Sequence, residues 1–208
     1  MRRHSKWFLL VLVFTLFAFA GCGGGGEAEV PGDGGEAIPA EVQAVIDNVT
    51  SIAANYALQL DGEWADEYNA LLASGEGRDY AEYDNLKATL DQFRLESGAY
   101  YVYMFTDMDP DDEYFEITVD GSEEPDDWMV QYDVEGQFFV AMDGEPCAAL
   151  SAWDNGENDP AWSAFAPVYD SDGNIVGILG IDYPAPEIVD FPQWNRDSEE
   201  WNGMAVEY

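Results

Sequence analysis

The chain is 208 residues long and sets 43 Asp and Glu against 7 Lys and Arg, for a formal charge of −36. Such a surface repels nucleic acid and anionic lipid headgroups, and favours cationic partners and counterions. Aromatic residues at 14% argue against a merely disordered acidic chain, because they supply a core.

Arg2, Arg3 and Lys6 open the chain, Trp7 to Phe19 is almost wholly apolar, and Ala20, Gly21 and Cys22 follow. A charged start, a short apolar run and a small-residue exit describe a signal peptide. The run is shorter than the ~20 apolar residues that a bilayer crossing needs. Phe19-Ala20-Gly21-Cys22 resembles the lipobox of bacterial lipoproteins, with Phe19 where Leu is usual. The resemblance implies a signal peptide over residues 1–21, cleavage before Cys22 and acylation of that residue. Several acyl chains at about 0.8 kcal/mol per buried CH2 would hold the protein on a membrane. The expected location is the cell envelope, facing the periplasm or the exterior. Gly23 stands where an Asp would retain a lipoprotein in the inner membrane, which favours the outer membrane in a host with two. Residues 22–38, rich in glycine and acid, predict a flexible tether.

The single histidine, His4, leaves with the signal peptide. Histidine-dependent triads, Cys-His pairs and histidine-metal sites are thereby excluded from the mature chain. Cys147 is then left without an intrachain partner and reads as a small buried apolar residue. No cofactor is expected.

Residues 39–190 read as one domain and 191–208 as a C-terminal tail. Val42, Val45, Ile46, Val49, Ile52, Ala53, Tyr56 and Leu60 recur at helical spacing behind Pro39. Gly62 interrupts this helix. Trp64, Tyr68, Leu71 and Leu72 continue an apolar face as far as Gly75 and Gly77. A third helix over 79–96 would bury Tyr83, Leu86, Leu90 and Phe93 and stop at Gly98. Residues 99–106 predict a strand, and 114–120 a second in which Phe115, Ile117 and Val119 alternate with polar residues. Residues 121–133 read as an acidic loop and 136–143 as a short helix. Further strands are expected at 147–153 and 161–169. The turn Asp170-Ser-Asp-Gly-Asn174 then leads into a strand over 175–183, a hairpin signal. Helices followed by antiparallel strands predict an α+β domain with long N-terminal helices packed on a central sheet.

Alternation in the last strand puts Ile175, Gly177, Leu179, Ile181 and Tyr183 on one face, and Val176, Ile178, Gly180 and Asp182 on the other. Asp182 thus ends an otherwise apolar face, where a carboxylate needs partners or an opening to water. Asp107, Asp109 and Asp111 alternate as in an EF-hand loop, but Asp112 replaces its turn glycine and Thr118 its bidentate Glu. These residues, like Asp154, Glu157 and Asp159, read as solvated acidic loops, and no metal-ligand set is assigned.

The stretch AWSAFAPVYDSDGNIVGILGIDYPAPEI resembles the C-terminal hairpin of Cache domains, the extracytoplasmic PAS-like sensors. Pro167, Val168, Asp170, Gly173, Val176, Gly177, Leu179, Gly180 and Asp182 stand at the matching places. LESGAYYVYMFTD, 95–107, is similar to the family's passage from helix to first strand. The resemblance covers about 150 residues. It implies a PAS-like antiparallel sheet that binds a small ligand on its face. No apolar span follows Ile188, so an output domain of its own is not expected. No Arg-x-x-Trp-Tyr stretch is present, so the amino-acid ligand class of some double Cache receptors is not implied.

The expected function is a non-enzymatic, sensor-like lipoprotein that binds a small molecule of unassigned class and presents it to, or modulates, a separate membrane receptor. Tyr101, Tyr103, Trp153 and Trp162 are the candidates for lining its site, and Asp182 for counter-charge to a cationic group. The alternatives are a surface interaction or structural lipoprotein whose domain binds a protein partner, and a carboxylate-dependent hydrolase.

Overall fold

Four α-helices and six strands follow the N-terminal segment in the computed structural model, which describes residues 37–108, 113–156, 159–201 and 203. The anchor, the tether to Glu36 and the acidic positions 109, 111, 112 and 157 lie outside the described residues.

Helix α1 runs Ala40–Leu60 and buries Val42, Val49, Ala53, Ala57 and Leu60. Val45, Ile46, Ile52 and Tyr56, predicted on the same stripe, flank it as partly buried residues. Ala53 and Ala57, in its C-terminal half, let α1 lie close against the sheet. Each large apolar side chain it buries is worth about 1.5–3 kcal/mol relative to exposure. The helix ends where Gly62 takes φ 81, a left-handed backbone that glycine adopts without steric cost. Helix α2, Glu63–Ser74, buries Ala65, Tyr68 and Leu71. The turn between the helices is fastened to the sheet's last hairpin. The Tyr169 N–H donates to Asp61 Oδ1 at 2.9 Å, and the Ser171 N–H and hydroxyl donate to the Asp66 carboxylate at 2.9 and 2.5 Å.

The third predicted helix is shorter than expected. Residues Gly77–Asp79 form a separate 3-10 turn, and α3 runs Tyr83–Ser97 before stopping at Gly98. It buries Tyr83, Leu86, Leu90 and Phe93 as predicted.

The strands are β1 (Tyr101–Thr106), β2 (Tyr114–Asp120), β3 (Val130–Asp133), β4 (Cys147–Asp154), β5 (Pro160–Tyr169) and β6 (Ile175–Pro184). They form one antiparallel sheet in the order β3-β2-β1-β6-β5-β4. The domain is α+β, with its N-terminal helices packed on a central antiparallel sheet. One predicted loop needs correction, because residues 130–133 of the 121–133 stretch form the edge strand β3. Its four residues are partly or fully exposed, so no burial pattern marks them.

The strand register divides the sheet into two faces. Val102, Met104, Ala164, Ala166, Leu179 and Ile181 belong to the face that α1 covers. There Tyr68 reaches in from α2, and its hydroxyl is hydrogen-bonded to Thr118 Oγ1 at 2.6 Å and to Thr106 Oγ1. Burial pushes that phenol up to about 12 despite both hydrogen bonds. On the opposite face, helix α4 (Gly136–Met142) places Phe138 against Phe105, Phe115 and Phe165, with ring centroids 4.8, 5.2 and 4.9 Å away. No helix among the described residues is long and apolar enough to cross a membrane.

Candidate functional site

Asp182 lies near the C-terminal end of β6, paired across the sheet with Tyr101 on β1 and Ser163 on β5. Residues paired this way share a face, so Asp182, Tyr101, Tyr103 and Ser163 lie together on the α4 side. Asp182 is 6% exposed. The Ser163 hydroxyl donates to Asp182 Oδ1 at 2.6 Å and the Tyr103 hydroxyl donates to the same oxygen at 3.1 Å. Trp153 Nε1 donates in turn to Ser163 Oγ at 3.0 Å. Tyr101 stacks on Trp153 with ring centroids 6.4 Å apart, and its hydroxyl donates to Asn155 Oδ1 at 3.3 Å.

The electrostatics follow from this packing. Burial pushes the Asp182 carboxyl up to about 6, against the opposing pull of the Ser163 and Tyr103 hydrogen bonds and the Arg196 guanidinium. Burial and the adjoining Asp182 together hold the Tyr103 phenol well above its ordinary range. Both neutral donors fall on Oδ1. Oδ2 accepts no hydrogen bond from the described residues. A carboxylate has about four acceptor positions, so Oδ2 can receive a donor from a ligand.

Four of the five residues predicted to line the site come together: Tyr101, Tyr103, Trp153 and Asp182. Trp162 does not. It pairs with Tyr183 rather than Asp182, is fully buried, and donates from Nε1 to Ala149 O at 2.9 Å. One step along a strand reverses the face, so Trp162 belongs to the core beneath α1. Sequence reasoning missed Ser163, although alternation along β5 sets it opposite Trp162. It also missed Arg196 and Glu135, whose charges act on the Asp182 carboxyl from segments outside the sheet.

Other predicted features lie apart from the site. The Cys147 thiol is half-buried, donates to Gln137 O at 3.2 Å, and is pushed by burial up to about 12, so it is no nucleophile at neutral pH. No group of three or more potential ligands among the described residues could hold a metal ion. Two surface cavities, of about 340 and 380 Å³, lie elsewhere, one beside Gly77 and Trp128 and the other between α1 and Tyr183, Pro184 and Glu187.

No family model and no curated protein matches the chain. Solved structures similar to it include sensor domains. The sensory domain of the Campylobacter jejuni chemoreceptor Tlp3 is 13% identical, with 73% of this chain and 65% of that one covered and a TM-score of 0.43. For the sensor domain of the V. cholerae histidine kinase DctB the values are 14%, 69%, 54% and 0.45. For the ligand-binding domain of the Pseudomonas aeruginosa amino acid chemoreceptor PctC, in complex with GABA, they are 15%, 74%, 57% and 0.42. The match spans less than two thirds of the length of each of these domains.

Proposed function

We propose that this protein is a non-enzymatic, extracytoplasmic, sensor-like binder of a small molecule, anchored to a membrane through lipidated Cys22. It presents its ligand to, or modulates, a separate membrane receptor. The observation that carries the reading is the Asp182 carboxylate, buried on a sheet face with both protein donors on one oxygen and none from the described residues on the other. Tyr101, Tyr103 and Trp153 supply aromatic area beside it, and a cationic or donor-rich group suits the second oxygen. The test is a thermal-shift screen of the protein against small amines, amino acids and other metabolites. Binding to the native state raises the melting temperature by mass action. A hit whose shift disappears in Asp182→Asn supports the reading, and hits that persist unchanged in that variant refute it.

A second reading has its own observation. Phe105, Phe115, Phe138 and Phe165 fill much of the same face, and neither of the two cavities touches Asp182. A domain of this kind would act as a surface interaction lipoprotein that binds a protein partner without any small ligand.

A further inference from the structure

Beyond Cys22 the chain sets 43 Asp and Glu against four cationic side chains, Arg78, Lys87, Arg94 and Arg196. All four are engaged. Arg78 donates to the Pro125 and Asp126 carbonyls, Lys87 Nζ donates to Ser122 O at 2.8 Å, and Arg94 pairs with Asp91 at 2.8 Å. Arg196 pairs with Glu135, its Nη1 donating to Oε1 at 3.1 Å. The cavity beside Gly77 and Trp128 has Arg78 in its own wall. The second cavity has no cation in its wall.

That cavity, of about 380 Å³, lies between the N-terminal half of α1 and the stretch where β6 passes into the 3-10 turn Pro186–Asp190. Val45, Tyr183 and Pro184, all partly buried, give it an apolar floor, and Glu41, Asn48 and Glu187 stand exposed in its wall. Alternation along β6 turns Tyr183 to the face that α1 covers, away from Asp182, so the two sites lie on opposite faces of the sheet. Neither Glu41 nor Glu187 has a hydrogen bond or an ion pair among the described residues. Ile38 and Val189, close to them along the chain, are 45% and 61% exposed. Two unneutralised carboxylates over an apolar floor suit a side chain with an apolar stem and a cationic head, which is the build of lysine and arginine.

Like charge argues against an occupant from the chain itself. The tether, residues 23–36, carries Glu27, Glu29, Asp33 and Glu36 and no cation, and residues 204–208 carry Glu207 and no cation. A second copy brings the same acidic excess. We infer that the cavity is a docking site for a basic segment of the membrane partner, a lysine or arginine of which inserts between Glu41 and Glu187 with its stem against Val45, Tyr183 and Pro184. The inference rests on the receptor-coupled reading for where the partner lies, and on the cavity for its chemistry. Glu41 follows the tether closely, and a glycine-rich tether over residues 23–36 has a root-mean-square span of about 20 Å. With Cys22 lipidated, the cavity stays within reach of the extracytoplasmic segments of a membrane protein. Complementary charge there steers the encounter and fixes its register.

The test is fluorescence anisotropy of a short labelled peptide of alternating leucine and arginine, titrated with the full chain at physiological ionic strength, where a Debye length of about 8 Å screens distant charges. Companion peptides carry glutamine in place of arginine, or serine in place of leucine. The expected result is saturable binding of the leucine–arginine peptide, weaker binding of the serine peptide and none of the glutamine peptide. Glu41→Gln combined with Glu187→Gln weakens binding about tenfold, the order of two exposed ion pairs. Asp84→Asn combined with Asp172→Asn removes the same charge elsewhere and leaves affinity within about twofold. Ala44→Lys places a cation in the cavity wall and also weakens binding. All five substituted positions are exposed, so the variants stay folded, which circular dichroism checks. Equal losses in the two double variants mean that the peptide reads the general acidic field, and that result overturns the inference, as does no binding at all. A wild type that self-associates and is dissociated by the cavity variants assigns the groove to a second copy and overturns it too. None of these outcomes bears on the anchor, which Cys22→Ser tests, or on the Asp182 site, which ligand binding in Asp182→Asn tests.

Discussion

The ring of Tyr103 occupies the space that a side chain at Gly180 would need: a Cβ there would lie 2.1 Å from Tyr103 Cε2. The two residues pair across β1 and β6. The missing side chain lets the tyrosine settle onto the sheet and extend its hydroxyl to Asp182, two residues further along β6. Gly180→Ala is therefore expected to displace a ring that is 8% exposed and packed 5.0 Å from Phe105. Overpacking of this kind costs about 1–3 kcal/mol. Urea unfolding reads the loss. Tyr103→Phe in the same background discriminates: once the ring has moved, removing its hydroxyl costs little more. An unchanged midpoint in Gly180→Ala contradicts the close packing.

Asp182 gives stability a pH dependence of defined sign. Its carboxyl is raised by burial from 3.8 to about 6, so the native state holds the proton more tightly than the unfolded chain does. The associated stability is complete below about pH 4 and is lost as pH rises through about 6. Asp182→Asn lacks this titration. The stability of the wild type minus that of the variant should grow by on the order of 3 kcal/mol between pH 7 and pH 4. Taking the difference cancels the charge relief that the other carboxylates give on acidification. A difference that stays flat across this range means that the carboxyl titrates like an exposed one.

Tyr68→Phe removes the hydroxyl that α2 inserts between Thr106 and Thr118. Thr118 keeps its bond to Met104 O at 3.2 Å, whereas Thr106, 8% exposed, is left short of a partner. A loss of about 1–3 kcal/mol is expected from stranding a buried polar group. Denaturant midpoints of Tyr68→Phe, Thr106→Val and the double variant check it. Additive losses would show that the two hydroxyls do not interact.

The anchor is tested at Cys22. Acylation needs the thiol, so Cys22→Ser should give an uncleaved precursor or a soluble product. Membrane fractionation and mass spectrometry decide it. Normal retention with an unmodified residue 22 contradicts the lipoprotein assignment.

Much of the fold was legible because burial writes a period into the chain. The stripe on α1 and the alternation in β6 are visible from Val42 to Leu60 and from Ile175 to Tyr183, and that alternation sets Asp182 apart from Leu179 and Ile181 on the other face. Strand β3 was not legible, since Val130–Asp133 lies at an exposed edge and buries no alternate residue deeply. Trp162 was misplaced because composition marks it as a strand aromatic, while only the pairing with Tyr183 reveals its face. Ser163 was missed although alternation along β5 separates it from Trp162, whereas Glu135 and Arg196 carry no local signal at all. Arg196 is held at the edge of β4 by a bridge between Asn195 and Ala152, a contact across more than forty residues that no spacing rule anticipates.

The most direct measurement takes one small ligand found by the thermal-shift screen and follows its affinity together with the denaturant midpoint in Asp182→Ala. A charge-assisted hydrogen bond to Oδ2 predicts that affinity falls by about 1.5–3 kcal/mol while the domain stays folded. Lost stability with unchanged affinity contradicts the account, and Asp182 would then belong to the framework of the sheet alone.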